Sequence, residues 1–284
     1  MNQIQSINLH QTNRCNCHCK FCFSSGAKSS SGPELSYEQW SGIIEDLVKN
    51  RGITKVNFVG GEPLLYPHLE RCLAFTKSLG ATTSIVTNAT LVDDGFFKRT
   101  LGNLDWIGLS IDSTDDYTEV VIGRHVKDCR YLQNVRKVAD LAHDYGVRIK
   151  LNITVNRLCI RDDFTEIIED IDPSRLKFIQ LTNVKGINDS GYDDLSVTEG
   201  TFDRFIRKYS DLLLSNGLRP VFESEKDVSS SYLMMDASGR FRVSTPFGYT
   251  FFDYDTFWNT KGLIDTQRYV SRGAVYDWST GGSS

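Results

Sequence analysis

The chain has 284 residues, 40% hydrophobic and 24% charged, the balance of a folded globular protein and not of a disordered one. With 32 Lys and Arg against 36 Asp and Glu the formal net charge is -4, so general affinity for nucleic acid is not expected. No apolar run approaches the roughly 18 residues of a membrane span, and the opening MNQIQSINLHQTN lacks the basic and apolar regions of a signal peptide, so the expected setting is the cytoplasm with no membrane partner.

In chain order, β-type runs alternate with helical patterns. The strands are expected at 6–11, 55–60, 83–88, 106–112, 148–155 and 175–181. Between the first two, Ser36 and Gln39 read as a capping box, Trp40, Ile43, Ile44 and Leu47 share one helical face, and Gly52 is the stop. Leu132, Val135, Val138, Ala139 and Ala142 repeat that pattern before Gly146, and Phe202, Phe205, Ile206 and Tyr209 do so ahead of Gly217. Strands alternating with helices imply βαβ units and a parallel sheet. Six strands are legible and no seventh or eighth, so the expected fold is α/β, an open, partial (β/α)6 barrel over residues 1–217. Residues 218–284 are less regular and are expected to pack over the active site as an extension rather than as a second domain.

Central parallel strands should be almost wholly apolar; these alternate. Val56 and Phe58, then Ile107, Leu109 and Ile111, then Ile149, Leu151 and Ile153 hold one parity. Lys55 and Asn57, Ser110 and Asp112, and Lys150, Asn152 and Thr154 hold the other, as do Asn8 with His10 and Arg175 with Lys177. The apolar face must meet the helices, so the polar face lines the barrel interior. Buried cations without partners are costly. An interior holding Lys55, Lys150, Arg175 and Lys177 in an acidic protein therefore calls for an anion.

Seven cysteines are present. An odd set with four members between positions 15 and 22 is not a disulfide framework, and Cys72, Cys129 and Cys159 are expected to be ordinary buried side chains. Cys15, Cys19 and Cys22 form CxxxCxxC. Three thiolates on one short loop suit a [4Fe–4S] cluster better than structural zinc, which takes four protein ligands. Cys17 is the available fourth, in a strained arrangement.

This spacing, with aromatic Phe21 before the third cysteine and Gly60-Gly61-Glu62-Pro63 closing the second strand, resembles the radical S-adenosylmethionine (SAM) superfamily. The resemblance implies a [4Fe–4S] cluster on Cys15, Cys19 and Cys22 whose open iron binds the amino and carboxylate groups of SAM. It implies that Gly60, Gly61 and Glu62 hold the methionine amino group, and that reductive cleavage gives a 5′-deoxyadenosyl radical that takes hydrogen from an unactivated C–H bond. An electron donor of flavodoxin or ferredoxin type is implied as partner. The segments NRCNCHCKFCF, KVNFVGGEP, SIVTNAT, LSIDS, VIGRH, KLNITVNR, RLKFIQ, SSYLMMD and SRGAVYDW follow in order from about residue 6 to 278 and are similar to those of the viperin family. Viperins convert a nucleoside triphosphate to its 3′-deoxy-3′,4′-didehydro analogue, a terminator of viral RNA chains.

That likeness implies a triphosphate grip by Lys55, Lys150, Arg175 and Lys177, a nucleobase contact by Asn8, sugar or phosphate contacts by Asn152, and a cover from Tyr232. Arg124 and Ser110 match contacts to the SAM carboxylate, Asn88 lies where its ribose or methionyl part sits, and Phe21 would touch its adenine. The amphipathic anchor and terminal aspartate-tryptophan of vertebrate viperin have no counterpart here, which suggests a prokaryotic or minimal form. Val59 stands where the family often has serine, Ser24 replaces a histidine and Cys17 a tyrosine. These departures leave the base open, with CTP ahead of UTP or GTP. The proton donor is unassigned, with Lys150 or a water as candidates. The alternatives are a peptide-modifying maturase or a molybdopterin-precursor cyclase, both of which carry C-terminal cysteine clusters absent after Cys159, and a zinc-binding interaction module.

Overall fold

The structure is a computed structural model and describes residues 4–24, 32–124, 130–279 and 281; Cys129 lies outside them. The first half of the fold is β1 (Ser6–Thr12), α1 (Tyr37–Asn50), β2 (Lys55–Gly60), α2 (Leu69–Ser78), β3 (Thr82–Thr87), α3 (Asp94–Arg99) and β4 (Trp106–Ile111). It continues with α4 (Asp116–Ile122), α5 (Tyr131–Asp144), β5 (Arg148–Val155), α6 (Thr165–Ile171), β6 (Arg175–Gln180), α7 (Asp189–Leu195) and α8 (Glu199–Ile206). These six strands pair in parallel, in sequence order, and their bounds lie within one residue of those expected.

The alternation does what the pattern required. In β5, Ile149, Leu151, Ile153 and Val155 are fully buried against the helical layer, whereas Lys150, Asn152 and Thr154 are half-buried on the other face. Register then stacks the polar parity of neighbouring strands: Asn8 beside Asn57, Ser110 beside Asn152, and Asn152 beside Lys177. A continuous polar inner wall follows from period-2 geometry alone. The helices are held by the expected signals. Ser36 Oγ accepts from the Gln39 amide, and the Gln39 side chain accepts from the Ser36 amide, so α1 starts with a capping box and buries Trp40, Ile44 and Leu47.

The expectation of no further strands is corrected. The remainder of the chain folds as β7 (Val221–Glu223), α9 (Glu225–Val228), β8 (Met234–Met235), β9 (Phe241–Thr245), β10 (Gly248–Phe252), α10 (Tyr254–Asn259) and α11 (Thr266–Ser271). β7 joins β6 in parallel, while β8 joins β1 in parallel and carries the antiparallel β9 and β10 beyond it. The result is one ten-stranded sheet in the order β10-β9-β8-β1-β2-β3-β4-β5-β6-β7, open because its outer strands do not pair. β7 and β8, of three and two residues, are too short to show a period, whereas β9 and β10, of five residues each, lie in the stretch read as irregular. Among the described residues no helix is long and apolar enough to cross a membrane.

Candidate active site

A cavity of about 300 Å³ opens on the polar face of the sheet. Cys15, Cys19 and Cys22 line one wall of it, on the loop leaving β1. That loop is clamped by backbone. The amides of His18 and Lys20 donate to the carbonyls of Gly123 and Ile122 at the end of α4, both at 2.9 Å, and the Gly61 and Glu62 amides donate to Thr12 and Arg14 at 2.7 and 2.8 Å. Approach this close requires glycine. A Cβ at Gly123, whose φ is +102°, would lie 2.3 Å from the His18 carbonyl oxygen, and one at Gly191 in α7 would lie 1.9 Å from that of Lys20. Phe21 packs its ring among Ile122, Leu181 and Leu195 and also lines the cavity.

The donor set fits an iron–sulfur cluster. All three thiols of the motif are free and face one space. Cys17, the fourth thiol that zinc would need, lines the same cavity but is buried and takes a hydrogen bond from Asn88 Nδ2 at 3.2 Å. The same Nδ2 reaches Cys15 Sγ at 3.9 Å, so it is the CxxxCxxC spacing that favours the cluster. Burial, partly countered by Arg124, pushes the Cys19 thiol up to about 12.

Gly60, Gly61, Asn88, Ser110 and Arg124 line the cavity beside the cysteines. Glu62 does not. Its carboxylate is wholly buried, accepting from Thr87 Oγ1 at 2.7 Å, the Asn88 amide at 2.9 Å and the Leu64 amide at 3.3 Å, and burial raises it to about 7. It ties the ends of β2 and β3 together, so the face that this motif offers to a ligand is its backbone. Asn88 is likewise engaged: its amide group donates to Asn16 and Cys17, and its oxygen accepts from Thr90. Arg124 pairs with Asp112 at 2.5 Å and with Glu119 at 3.7 Å. The remaining Asp112 oxygen takes the Thr154 amide.

At the other end lie Lys55, Lys150, Lys177, Asn8, Asn152 and Tyr232, all on the lining. Asn8 accepts from Asn57 Nδ2 at 2.9 Å. Arg175 shares the parity but is not among the residues lining the cavity; its guanidinium donates to the Gly273 carbonyl and stacks 4.1 Å from the Tyr276 ring centroid. Parity fixes a face, whereas depth along the strand decides what covers it. Lys55 Nζ sits 3.0 Å from the centroid of the Trp278 ring. Burial first, and then Lys177 and Arg175, bring Lys150 down to about 7; burial and the same basic neighbours hold Lys55 well below the usual lysine range.

Two residues of this wall were absent from the sequence reading. Glu223, at the end of β7, is fully buried, pairs with Lys177 and accepts from Tyr232 Oη at 2.5 Å. Arg272, after α11, lines the cavity, lies 3.6 Å from Glu223 and stacks 3.6 Å from the Tyr232 ring centroid. Burial alone would raise Glu223, but Lys177 and Arg272 outweigh it and bring the carboxylate to about 2. A three-residue strand and an isolated tail arginine carry no pattern that could have announced them. His10, fully paired with Arg242 and Ser24, completes the lining near β9.

Comparison with known proteins agrees with this geometry. The model of the Radical SAM superfamily matches residues 9–171. An S-adenosylmethionine-dependent nucleotide dehydratase of Thermoplasmatales archaeon (strain ISO4-H5) is 36% identical, covering 97% of both chains. Another of that name from Flammeovirga pacifica is 31% identical over 98% of this chain and 97% of its own. The S-adenosylmethionine-dependent nucleotide dehydratase RSAD2 of Siniperca chuatsi is 31% identical over 83% of this chain and 67% of its own. Among solved structures, SuiB of Streptococcus suis bound to SAM superposes with a TM-score of 0.66 at 15% identity, over 96% of this chain and 68% of that one. Native anSMEcpe with bound AdoMet gives 0.63 at 16% identity, over 94% and 82%; at such identities the likeness concerns the fold. The thiol loop, the GGEP turn and the full-length similarity agree, and the chain belongs to the radical SAM superfamily, in the viperin-like branch whose curated members are S-adenosylmethionine-dependent nucleotide dehydratases.

Proposed function

We propose that this enzyme dehydrates a nucleoside triphosphate, CTP ahead of UTP or GTP, to its 3′-deoxy-3′,4′-didehydro analogue, a chain terminator serving antiviral defence. The observation that carries the reading is the placement of Lys55, Lys150, Lys177 and Arg272 on the cavity that the three thiols also face. Charge-assisted bonds to phosphate are the strong kind, and they gain in a site shielded from water.

Cys15, Cys19 and Cys22 would hold the [4Fe–4S] cluster, and the Gly60–Gly61 backbone, Ser110, Asn88 and Arg124 would surround SAM, with Phe21 against its adenine. When bound, the two supply one-electron cleavage of a C–S bond and a carbon radical able to take a hydrogen atom. The basic wall aims the sugar: with phosphates on Lys150, Lys177 and Arg272, the ribose is directed back along Asn152 toward the thiols. Tyr232, fixed by Glu223 and Arg272, closes over it, and Asn8 meets the base. Overall, one hydrogen leaves C4′ and the 3′-hydroxyl leaves as water after gaining a proton, with one electron taken up. Positioning is the main contribution of the protein, since misplacement of a reacting atom by about 1 Å costs on the order of 100-fold.

The test is anaerobic incubation with SAM, reductant and each of the four common nucleoside triphosphates, read by mass spectrometry. Formation of 5′-deoxyadenosine with loss of water from one nucleotide is the expected result. 5′-Deoxyadenosine unaffected by any nucleotide, with every triphosphate recovered intact, would overturn the reading.

A further inference from the structure

Resting on that reading of the cavity, we propose that the site takes its nucleoside triphosphate as the free polyanion, without the magnesium ion that ordinarily accompanies such nucleotides, the basic side chains standing in for the metal. Magnesium in nucleotide sites is usually held by one or two carboxylates together with the phosphates. Among the described residues, those lining this cavity include Lys55, Arg124, Lys150, Lys177 and Arg272 but no Asp or Glu. The buried carboxylates nearby are already bound. Glu223 gives one oxygen to Lys177 and the other to Tyr232. Asp112 gives one to Arg124 and the other to the Thr154 amide. Glu62 is taken up by Thr87, Leu64 and Asn88.

The charge balance points the same way. Lys55, Lys150, Arg175, Lys177 and Arg272 sense one another electrostatically, and Glu223 is the carboxylate paired among them. With every basic group charged, the four of them that line the cavity (Lys55, Lys150, Lys177 and Arg272) together with Glu223 carry three net positive charges. A free triphosphate carries about four negative charges and its magnesium complex about two. The complex would leave part of the wall unneutralised and would bring a divalent cation among crowded ammonium and guanidinium groups, where like charges repel strongly. Among the described residues neither Lys55 nor Lys150 has a carboxylate within ion-pair distance; Lys55 rests on the Trp278 ring, and no acid competes with phosphate oxygens for either ammonium.

The experiment is calorimetric titration of CTP into the cluster-loaded enzyme with SAM and without reductant, first in EDTA and then at rising magnesium, with ionic strength held constant. The apparent Kd for total CTP is expected to rise by the factor by which free CTP falls, about 10-fold when a tenth of the nucleotide remains uncomplexed. An apparent Kd that stays level or tightens with magnesium overturns the proposal and leaves the nucleotide reading intact. Absence of binding in both conditions, with UTP and GTP as well, overturns both.

Discussion

Lys177 and Arg272 share one buried carboxylate, while Lys150 borders them with no acid in ion-pair reach among the described residues. The two lysines should therefore answer differently to substitution. Lys150→Ala removes one charge-assisted phosphate contact, worth about 1.5–3 kcal/mol, so KM for CTP should rise roughly 10-fold or more while the Kd for SAM stays unchanged. Parallel loss of both in steady-state and binding assays would mean misfolding instead. Glu223→Gln leaves Lys177 and Arg272 buried without their counter-charge and should destabilise the nucleotide-free enzyme by about 3–5 kcal/mol, seen as a lower melting temperature that CTP restores. Because its folded value lies near 2 against 4.5 for the free side chain, the stability it lends is present above pH 4.5 and is lost as pH falls toward 2. Lys150 gives a pH slope of the same sign for the opposite reason, its charged form being disfavoured and not favoured by folding. Its ammonium is disfavoured in the free enzyme, with a folded value near 7 against 10.5, so the nucleotide-free protein gains stability as pH rises through that window. A bound polyanion restores the charge, so CTP binding at pH 8 should take up protons, measurable by calorimetry in two buffers of different ionisation enthalpy. Uptake of none would show that Lys150 does not meet phosphate.

At the scale of elements, the loop of thiols is shaped by what touches it from behind. Gly191 sits within α7, where Ala is the better helix former by about 0.5–1 kcal/mol, so Gly191→Ala isolates the effect of contact. Its methyl would meet the Lys20 carbonyl at 1.9 Å, and backbone on both sides cannot yield without moving Cys19 and Cys22. Iron content and the cluster absorption band should fall sharply while helical circular dichroism is kept; a fully loaded, unshifted cluster would contradict this. The glycine was silent in the sequence because close approach between distant segments leaves no local pattern. β1 to β6 were legible for the converse reason: each has six residues or more, enough for the alternation of Val56 and Phe58 against Lys55 and Asn57 to declare both strand and face. The same parity could not show that the tail covers Arg175, since its Gly273 carbonyl returns from 98 residues away. Glu62 shows a related limit, because a motif names a position but not which of its atoms faces the ligand.

For the molecule as a whole, the residues after β6 bring both edges of the sheet to one cavity. β7 supplies Glu223, β8 continues the wall beyond β1, and the tail returns to set Arg272 over Tyr232 and Trp278 over Lys55. The Trp278 carbonyl accepts from Trp106 Nε1 at 2.8 Å, and Trp106, Tyr276 and Trp278 form a separate aromatic cluster beneath the basic wall. Thiols and basic side chains thus share one space, the arrangement that the proposed substrate, a reactive sugar joined to a dense negative charge, would need. The most direct measurement of that idea compares kcat/KM for CTP with that for CMP under anaerobic turnover. Losing two phosphates forfeits at least two contacts of about 1.5 kcal/mol, so CTP should be preferred by at least about 100-fold; equal turnover of CMP would show that the basic wall does not hold the substrate.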